Sequence, residues 1–248
     1  AIVCDVGGTT ADIGCLVNGF PREANNVVEI GGVRTLFRMP DLISIGIGGG
    51  TMVRENPLGV GPESVGFRLL EEARVFGGSQ LTLTDVAVAS GLMDVGNKTQ
   101  ISDLPETLFT AALAMAHQKI SVTIDQIKTD SQDVPMIAVG GGAPLIPEKI
   151  PGISEVHRVP FHGVANAVGA AIAQISGEAD QVFQDFTRDD ALAAALEIAI
   201  ENAVKSGADR QSIKIIEMED LPIAYLPGHA IRARVRVVGD IAAKPKDC

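Results

Sequence analysis

Apolar and polar positions alternate in short bursts along the first sixty residues, and most bursts end on glycine. Residues 1–5 (AIVCD) and 11–18 (ADIGCLVN) read as two strands joined by the turn Gly7-Gly8-Thr9-Thr10. A tight turn follows at 18–20 (NGF), a further strand is expected within 25–38, and 42–53 (LISIGIGGGTMV) is a β-rich run broken by Gly48, Gly49 and Gly50. Helical spacing takes over next. Residues 61–78 carry a proline near the start, Val65, Leu69 and Leu70 at helical spacing, and glycines at the end, so they predict a helix. A short helix with a Thr or Asp start is predicted for 82–91. A long amphipathic helix is predicted for 104–128, open to interruption where β-branched residues cluster near Ile120–Thr123.

"VPMIAVGGGAPLIP" (134–147) reads as a buried strand running into three glycines, 154–160 as a short strand, and 163–177 as an alanine-rich helix. Strands alternating with helices predict an α/β lobe, with a mostly buried sheet and helices on its faces. The pattern changes after about residue 180. Residues 189–208 predict a helix capped by Asp189 or Asp190 and ended by Gly207. Residues 212–219 and 230–240 alternate apolar with charged positions, as strands with one wet face do, and 220–229 is expected to be their connecting loop. The expected organisation is therefore a lobe over 1–180 and a small α+β appendage over 181–248.

Composition narrows the partners. Aromatics are only 4% of 248 residues while hydrophobics are 46%, so the core must be aliphatic. A formal charge of −11 repels phosphate backbones and anionic lipid, which argues against nucleic-acid and membrane partners. An anionic ligand then needs locally placed N–H groups or a metal ion. No apolar run approaches the roughly 20 residues of a transmembrane helix. Cys4, Cys15 and Cys248 match neither a disulfide framework nor a zinc pattern, and free thiols point to a reducing compartment, so the cytoplasm is the expected location. The start in mid-strand, without methionine, reads as part of a longer polypeptide.

Three glycine clusters follow strands: Gly7-Gly8-Thr9-Thr10, Gly48-Gly49-Gly50-Thr51 and Gly140-Gly141-Gly142-Ala143. A strand end with exposed N–H groups is a ready anion site, and several such ends can converge on one polyphosphate. Any one cluster alone is more often a plain turn. No GK[ST] is present, and "GIGGGT" lacks the third glycine of a dinucleotide fingerprint. What raises the signal is the combination, with Asp5 immediately before the first turn and Asp12 just after it.

At these residues the chain resembles a known superfamily. "DVGGTTADIG" (5–14) is similar to the second phosphate motif of the acetate kinase, sugar kinase, heat-shock chaperone and actin superfamily, and "MIAVGGGAPLIP" (136–147) is similar to its adenosine motif. "HGVANAVGAAIA" (162–173) fits the helix after that motif. The combination of "DVGGTT", "SIGIGGG", "GPESVG", "VFGG", "LTLTDVAVASG", "VGGGAPLIP", "GVANAVGAAIAQISGE" and "AYLPG" resembles the hydantoinase A/5-oxoprolinase family over most of residues 1–240.

The resemblance implies a ribonuclease H-like lobe of the actin-like ATPase fold, with ATP and Mg²⁺ as cofactors and a small cyclic amide as substrate. It implies that ATP phosphorylates the amide oxygen so that the ring can open. Asp5 would hold Mg²⁺. Asp12 would orient Thr9, Thr10 or the attacking group, with an Asx-type hydrogen bond to the hairpin backbone as the alternative. Gly7, Gly8, Thr9 and Thr10 would contact phosphate, and Gly140, Gly141, Gly142 and Ala143 the adenosine. Gly48, Gly49, Gly50 and Thr51 would border the nucleotide or line the substrate cleft.

Superfamily ATPases have two lobes, and this chain carries only the phosphate loop that resembles the second. An N-terminal lobe is expected elsewhere, along with an exposed apolar face where it packs, and the family also implies a second hydantoinase-type subunit. The chain alone is expected to be inactive. The same loops serve sugar and acid kinases, activating subunits of acetone-type carboxylases, and actin- or chaperone-like switch modules. Asp41, just before the strand that leads to Gly48, is a further acidic candidate that reads rather as a solvated turn aspartate, and His117, His157, His162 and His229 lack metal-ligand spacing. Arg232, Arg234 and Arg236 at period two read as one solvated strand face or as a docking face for a missing domain.

Overall fold

Strands β1 (Ile2–Val6) and β2 (Ala11–Val17) form an antiparallel hairpin in register from Ile2 opposite Cys15 to Val6 opposite Ala11. The computed structural model of the protein describes residues 1–17, 19–24, 28–30, 33–35, 39–223 and 229–242, with backbone alone at 28–30 and 33–35. Two units divide the chain, Ala1–Val168 and Gly169–Cys248.

In the first unit the hairpin continues into β3 (Phe20–Pro21), and a small separate pair, β4 (Val28–Ile30) and β5 (Val33–Thr35), lies where one strand was expected. Strand β6 (Leu42–Ile45) pairs antiparallel with β2, and β7 (Thr51–Glu55) and β8 (Leu58–Ser64) make a second hairpin. Helices α1 (Leu69–Glu72), α2 (Leu83–Ala89) and α3 (Glu106–Ile127) follow. Strands β9 (Val134–Val139) and β10 (Ile153–Arg158) then run parallel to β1, and α4 (Ala165–Ala171) comes next. The result is a mixed sheet ordered β10-β9-β1-β2-β3, with β6 beside β2.

One face of this sheet is the core. Ile2, Cys4, Val6, Ala11, Ile13, Met136 and Ala138 are buried with Phe109, Ala112, Ala116, Ile120, Ile124 and Ile127 of α3. These positions recur at period two in the strands and three to four in the helix, the two spacings that put residues on one face. The helix passes the β-branched cluster unbroken, with the Thr123 hydroxyl satisfied inside it by donating to the Lys119 carbonyl at 2.8 Å. Val3, Asp5 and Asp12 occupy the opposite face, half-buried. Among the described residues no helix is long and apolar enough to cross a membrane.

The helix expected over 61–78 is not formed. Residues 61–64 belong to β8, and only one α-turn follows, flanked by 3₁₀ turns at Gly66–Arg68 and Arg74–Phe76. Gly61 and Gly66 adopt φ of 59° and 58°, and Ala73 is extended, so helical spacing of apolar residues is overridden by backbone that cannot be helical.

The second unit is a three-stranded antiparallel sheet, β11 (Ile175–Phe183), β13 (Ile231–Gly239) and β12 (Lys214–Pro222) in that order, with α5 (Arg188–Lys205) on one face. Helix α5 is capped by Thr187, whose side chain accepts from the Asp190 N–H, rather than by either aspartate. It lays Ala191, Ala195, Ala199 and Ala203 on Ala179, Ala233, Val235 and Val237. That stripe lets the backbones approach closely: a Cβ on Gly177 would lie 2.1 Å from the Ala199 carbonyl oxygen. Strand β11 replaces the C-terminal part of the helix expected over 163–177. Its buried positions, Gly177 and Ala179, are too small to give a strand its usual apolar alternation. Strand β12 likewise extends through Asp220–Pro222 into the expected loop, and 224–228, which are the whole "AYLPG" string, lie outside the described residues.

Candidate functional site

The three glycine clusters meet. Gly49 donates its N–H to the Gly7 carbonyl at 2.9 Å and Gly50 to the Gly8 carbonyl at 2.6 Å, while Gly142 donates to the Val6 carbonyl at 2.7 Å. The hairpin tip between β1 and β2 is therefore gripped from two sides. Four of the glycines are required by that packing. A Cβ on Gly48 would sit 2.6 Å from Thr9 N, on Gly50 2.9 Å from the Gly8 oxygen, on Gly140 2.3 Å from the Val6 oxygen, and on Gly142 2.6 Å from Val6 Cγ1.

Gly8 and Gly141 differ in kind. An added Cβ would meet nothing within 4 Å at either, and neither has a left-handed φ. Both are exposed, and folding alone gives no reason for glycine there. Among the described residues the N–H groups of Gly8, Thr9 and Gly141 have no hydrogen-bond partner, nor do the Thr9 and Thr10 hydroxyls. This is an open, donor-rich edge, the surface an anion needs.

The turn Gly48–Thr51 contributes differently from the sequence expectation. It is buried, and every N–H in it is already used: Gly48 to Thr51 Oγ1 at 2.7 Å, Gly49 and Gly50 to the hairpin tip, and Thr51 to the Gly48 carbonyl at 3.0 Å. These residues brace the first turn and have no amide left for a ligand. In the third cluster Gly140 donates to the His162 carbonyl at 2.8 Å and Ala143 to the Gly140 carbonyl at 3.2 Å, which leaves Gly141 as the open member.

Asp5 and Asp12 face each other across the hairpin. Each receives one neutral donor from a different element. Ser44 Oγ of β6 donates to Asp12 Oδ1, and Asn166 Nδ2 of α4 donates to Asp5 Oδ2 at 3.4 Å. Asp5 Oδ1 also lies only 2.4 Å from where a Gly140 Cβ would be, so glycine there makes room for the carboxylate. Neutral donors orient the two groups without cancelling their charge. Burial, then the charges of Asp5 and Asp12, push the Cys4 thiol beneath them up to about 12 and keep it protonated.

Sequence reasoning missed Ser44, Asn166 and Thr84. Thr84 donates from both N (2.8 Å) and Oγ1 (2.9 Å) to the Gly49 carbonyl. Its place at the start of α2 was a legible signal; Ser44 and Asn166 carried none, since their roles depend on strand register and on where α4 lies. Other candidates settle into structural contacts. Asp41 accepts from Arg22 Nε at 2.9 Å. His117 contacts the Leu145 carbonyl at 3.0 Å, and burial lowers its pKa below 6.5. Arg232 makes two bonds of 2.7 Å to Asp180, and Arg234 reaches Glu217 at 3.2 Å, so that strand face is charge-compensated. Among the described residues no group of three His, Cys, Asp or Glu side chains could hold a metal ion by itself.

Residues 1–97, which contain the first two glycine turns, both aspartates, Ser44 and Thr84, match the family model described as hydantoinase/oxoprolinase. The match covers less than half of the chain. The third glycine turn and Asn166 lie beyond the matched residues. No curated protein matches the chain in sequence. Among solved structures, a nucleotide-free acetone carboxylase from work on ATP-dependent acetone carboxylation is similar with a TM-score of 0.58 at 17% identity. An ATP-dependent caprolactamase from Pseudomonas jessenii is similar with a TM-score of 0.58 at 15% identity. Each likeness covers 100% of this chain and 48% of the other, so this chain spans about half the length of either structure. At such identities the likeness is one of α/β fold.

Proposed function

We propose that this chain is the phosphate-binding part of an ATP-dependent enzyme that activates a small cyclic amide for ring opening. The observation that carries the reading is the pairing of an open amide edge at Gly8 and Thr9 with two carboxylates, Asp5 and Asp12, that face each other on one hairpin and have no ion-pair partner among the described residues. Amides and threonine hydroxyls stabilise phosphate oxygens, and an acidic protein can hold a polyphosphate only with such local donors. Gly7, Gly8, Thr9 and Thr10 are the proposed phosphate contacts. Gly141, with its neighbours Gly140, Gly142 and Ala143, is proposed to border the nucleoside. Gly48, Gly49, Gly50 and Thr51 support the turn from behind. The strand order β10-β9-β1-β2-β6, parallel on one side of β1 and antiparallel on the other, supports the ribonuclease H-like, actin-like reading of the lobe.

The donor set fits Mg²⁺. That ion is usually bound through one or two carboxylates plus phosphate oxygens and water, and two opposed carboxylates supply the protein's share. Asp5 would hold it, and it would neutralise charge between the phosphates. Asp12, fixed by Ser44, is proposed to orient Thr10 or the attacking group. The chemical benefit is plain. An amide carbonyl is a poor electrophile because nitrogen donates into it, and converting its oxygen to a phosphate ester makes that oxygen a leaving group. A lobe carrying the opposing phosphate loop is part of the proposal, and Phe67, almost fully exposed directly after Gly66, and Leu70 offer apolar surface beside the turn. Without that lobe the chain is proposed to be inactive, and a second hydantoinase-type subunit is a proposed partner.

Measuring ADP release by the complete open reading frame with 5-oxoproline, hydantoin, caprolactam, acetone or a sugar present tests the reading. Stimulation by a cyclic amide alone supports it. Stimulation by acetone alone would move the chain to the carboxylase-type activating role, stimulation by a sugar to a kinase, and indifference to all of them to a nucleotide switch.

A further inference from the structure

The second glycine turn does more than fill space behind the first. The Gly7–Gly8 and Gly8–Thr9 peptides are trans, and a trans peptide points its C=O and N–H in opposite directions. Gly49 captures the Gly7 carbonyl and Gly50 the Gly8 carbonyl, from the same side. The N–H groups of Gly8 and Thr9 must then point together to the other side, which is the exposed one. The aim of both amides therefore depends on where Gly49 sits. Gly49 in turn is fixed by Thr84, which places two donors on its carbonyl and lies 2.8 Å from where a Gly49 Cβ would be. Thr84 is 3% exposed, so water offers its hydroxyl no ready substitute.

We propose that Thr84 is a positioning residue: through Gly49 it aims the Gly8 and Thr9 amides outward in parallel, ready for a phosphate-type anion. The inference rests on the phosphate reading of that edge, but its geometric half stands apart from it. A buried hydroxyl bond contributes about 1 kcal/mol, and losing it converts to roughly a fivefold weakening of anything that needs the aimed amides.

Two arms on the ¹⁵N-labelled 248-residue chain separate the parts. In the first, without ligand, N–H residual dipolar couplings report bond direction. Thr84→Val is expected to change the couplings of Gly8 and Thr9 while those of Ile2–Val6 and Val134–Val139 persist. Thr84→Ser, which keeps the hydroxyl, restores them. Unchanged couplings at Gly8 and Thr9 in Thr84→Val would overturn the inference. In the second arm, inorganic pyrophosphate is titrated with and without Mg²⁺. Wild-type Gly8 and Thr9 resonances are expected to move, with about fivefold weaker affinity in Thr84→Val and recovery in Thr84→Ser. Equal affinity of wild type and Thr84→Val would also overturn it. Wild-type resonances that do not respond would sink the phosphate reading and the functional half of the inference, leaving the dipolar couplings to decide the geometric half.

Discussion

Asp5 and Asp12 stand directly opposite one another on the half-buried face of the β1–β2 hairpin, and each is oriented by a neutral side chain rather than a cation. Side chains so opposed have Cβ atoms about 5 Å apart, and like charges there destabilise a sheet. The hairpin keeps that cost. Removing one charge should therefore act on fold and function with opposite signs. Asp12→Asn is expected to hold or raise stability in thermal unfolding, by up to about 1 kcal/mol. Asp5→Asn is expected to do the same while raising the Mg²⁺ concentration for half-maximal ADP release in the complete protein by about 10–100-fold. A loss of stability in both variants would show that the pair is a structural feature.

Gly8 and Gly48 make a matched comparison. Gly8→Ala adds a methyl group into open space and is expected to leave stability unchanged or raise it by up to about 1 kcal/mol. The same methyl group stands in the way of a phosphate, so pyrophosphate affinity should fall at least about tenfold, a loss of roughly 1.4 kcal/mol. Gly48→Ala drives its Cβ into the Gly8–Thr9 backbone and is expected to cost about 1–3 kcal/mol in denaturant unfolding. Equal stability losses in the two variants would refute this division of the glycines.

Asp85 is buried and holds the irregular segment before α2. Its carboxylate accepts from Val75 N at 2.7 Å, Thr82 N at 2.7 Å and Thr82 Oγ1 at 2.8 Å. Asp85→Ala strands two buried amides and is expected to destabilise the protein by about 2–4 kcal/mol. Hydrogen exchange should rise first at Val75 and Thr82. Unchanged exchange at both would contradict the assigned role.

His117 sets a pH dependence. Burial holds its folded-state pKa below the ordinary 6.5, with the Leu145 carbonyl contact acting in the opposite direction. Between the two values the unfolded chain binds more protons, so its contribution is full above about pH 6.5 and is lost as pH falls through that value toward the folded one. His117→Gln should flatten the slope of stability against pH below about pH 6.5, read from denaturant midpoints. An unaltered slope would remove His117 as its source.

Much of this was legible in advance because it depends on local rules. The hairpin of Asp5 and Asp12, the helices over 82–91 and 104–128, and the strand before Gly140 follow from apolar period and turn residues. Failures occurred where that signal was weak or overridden. Val65, Leu69 and Leu70 have helical spacing but sit among positive-φ glycines, and β11 hides its buried face behind Gly177 and Ala179.

The amino-acid order by itself determined that three glycine bends would each follow a strand, that acidic groups would flank the first, and that the surface would be strongly negative. Only the tertiary structure decided that the second bend has spent its amides on the first, that Gly8 and Gly141 stay open, and that Ser44, Thr84 and Asn166 hold the site from three other elements. The reason is physical. A turn's conformation is encoded within a few residues, whereas the partner of an N–H or a carboxylate is set by strand pairing and helix packing over separations of 32 to 161 residues.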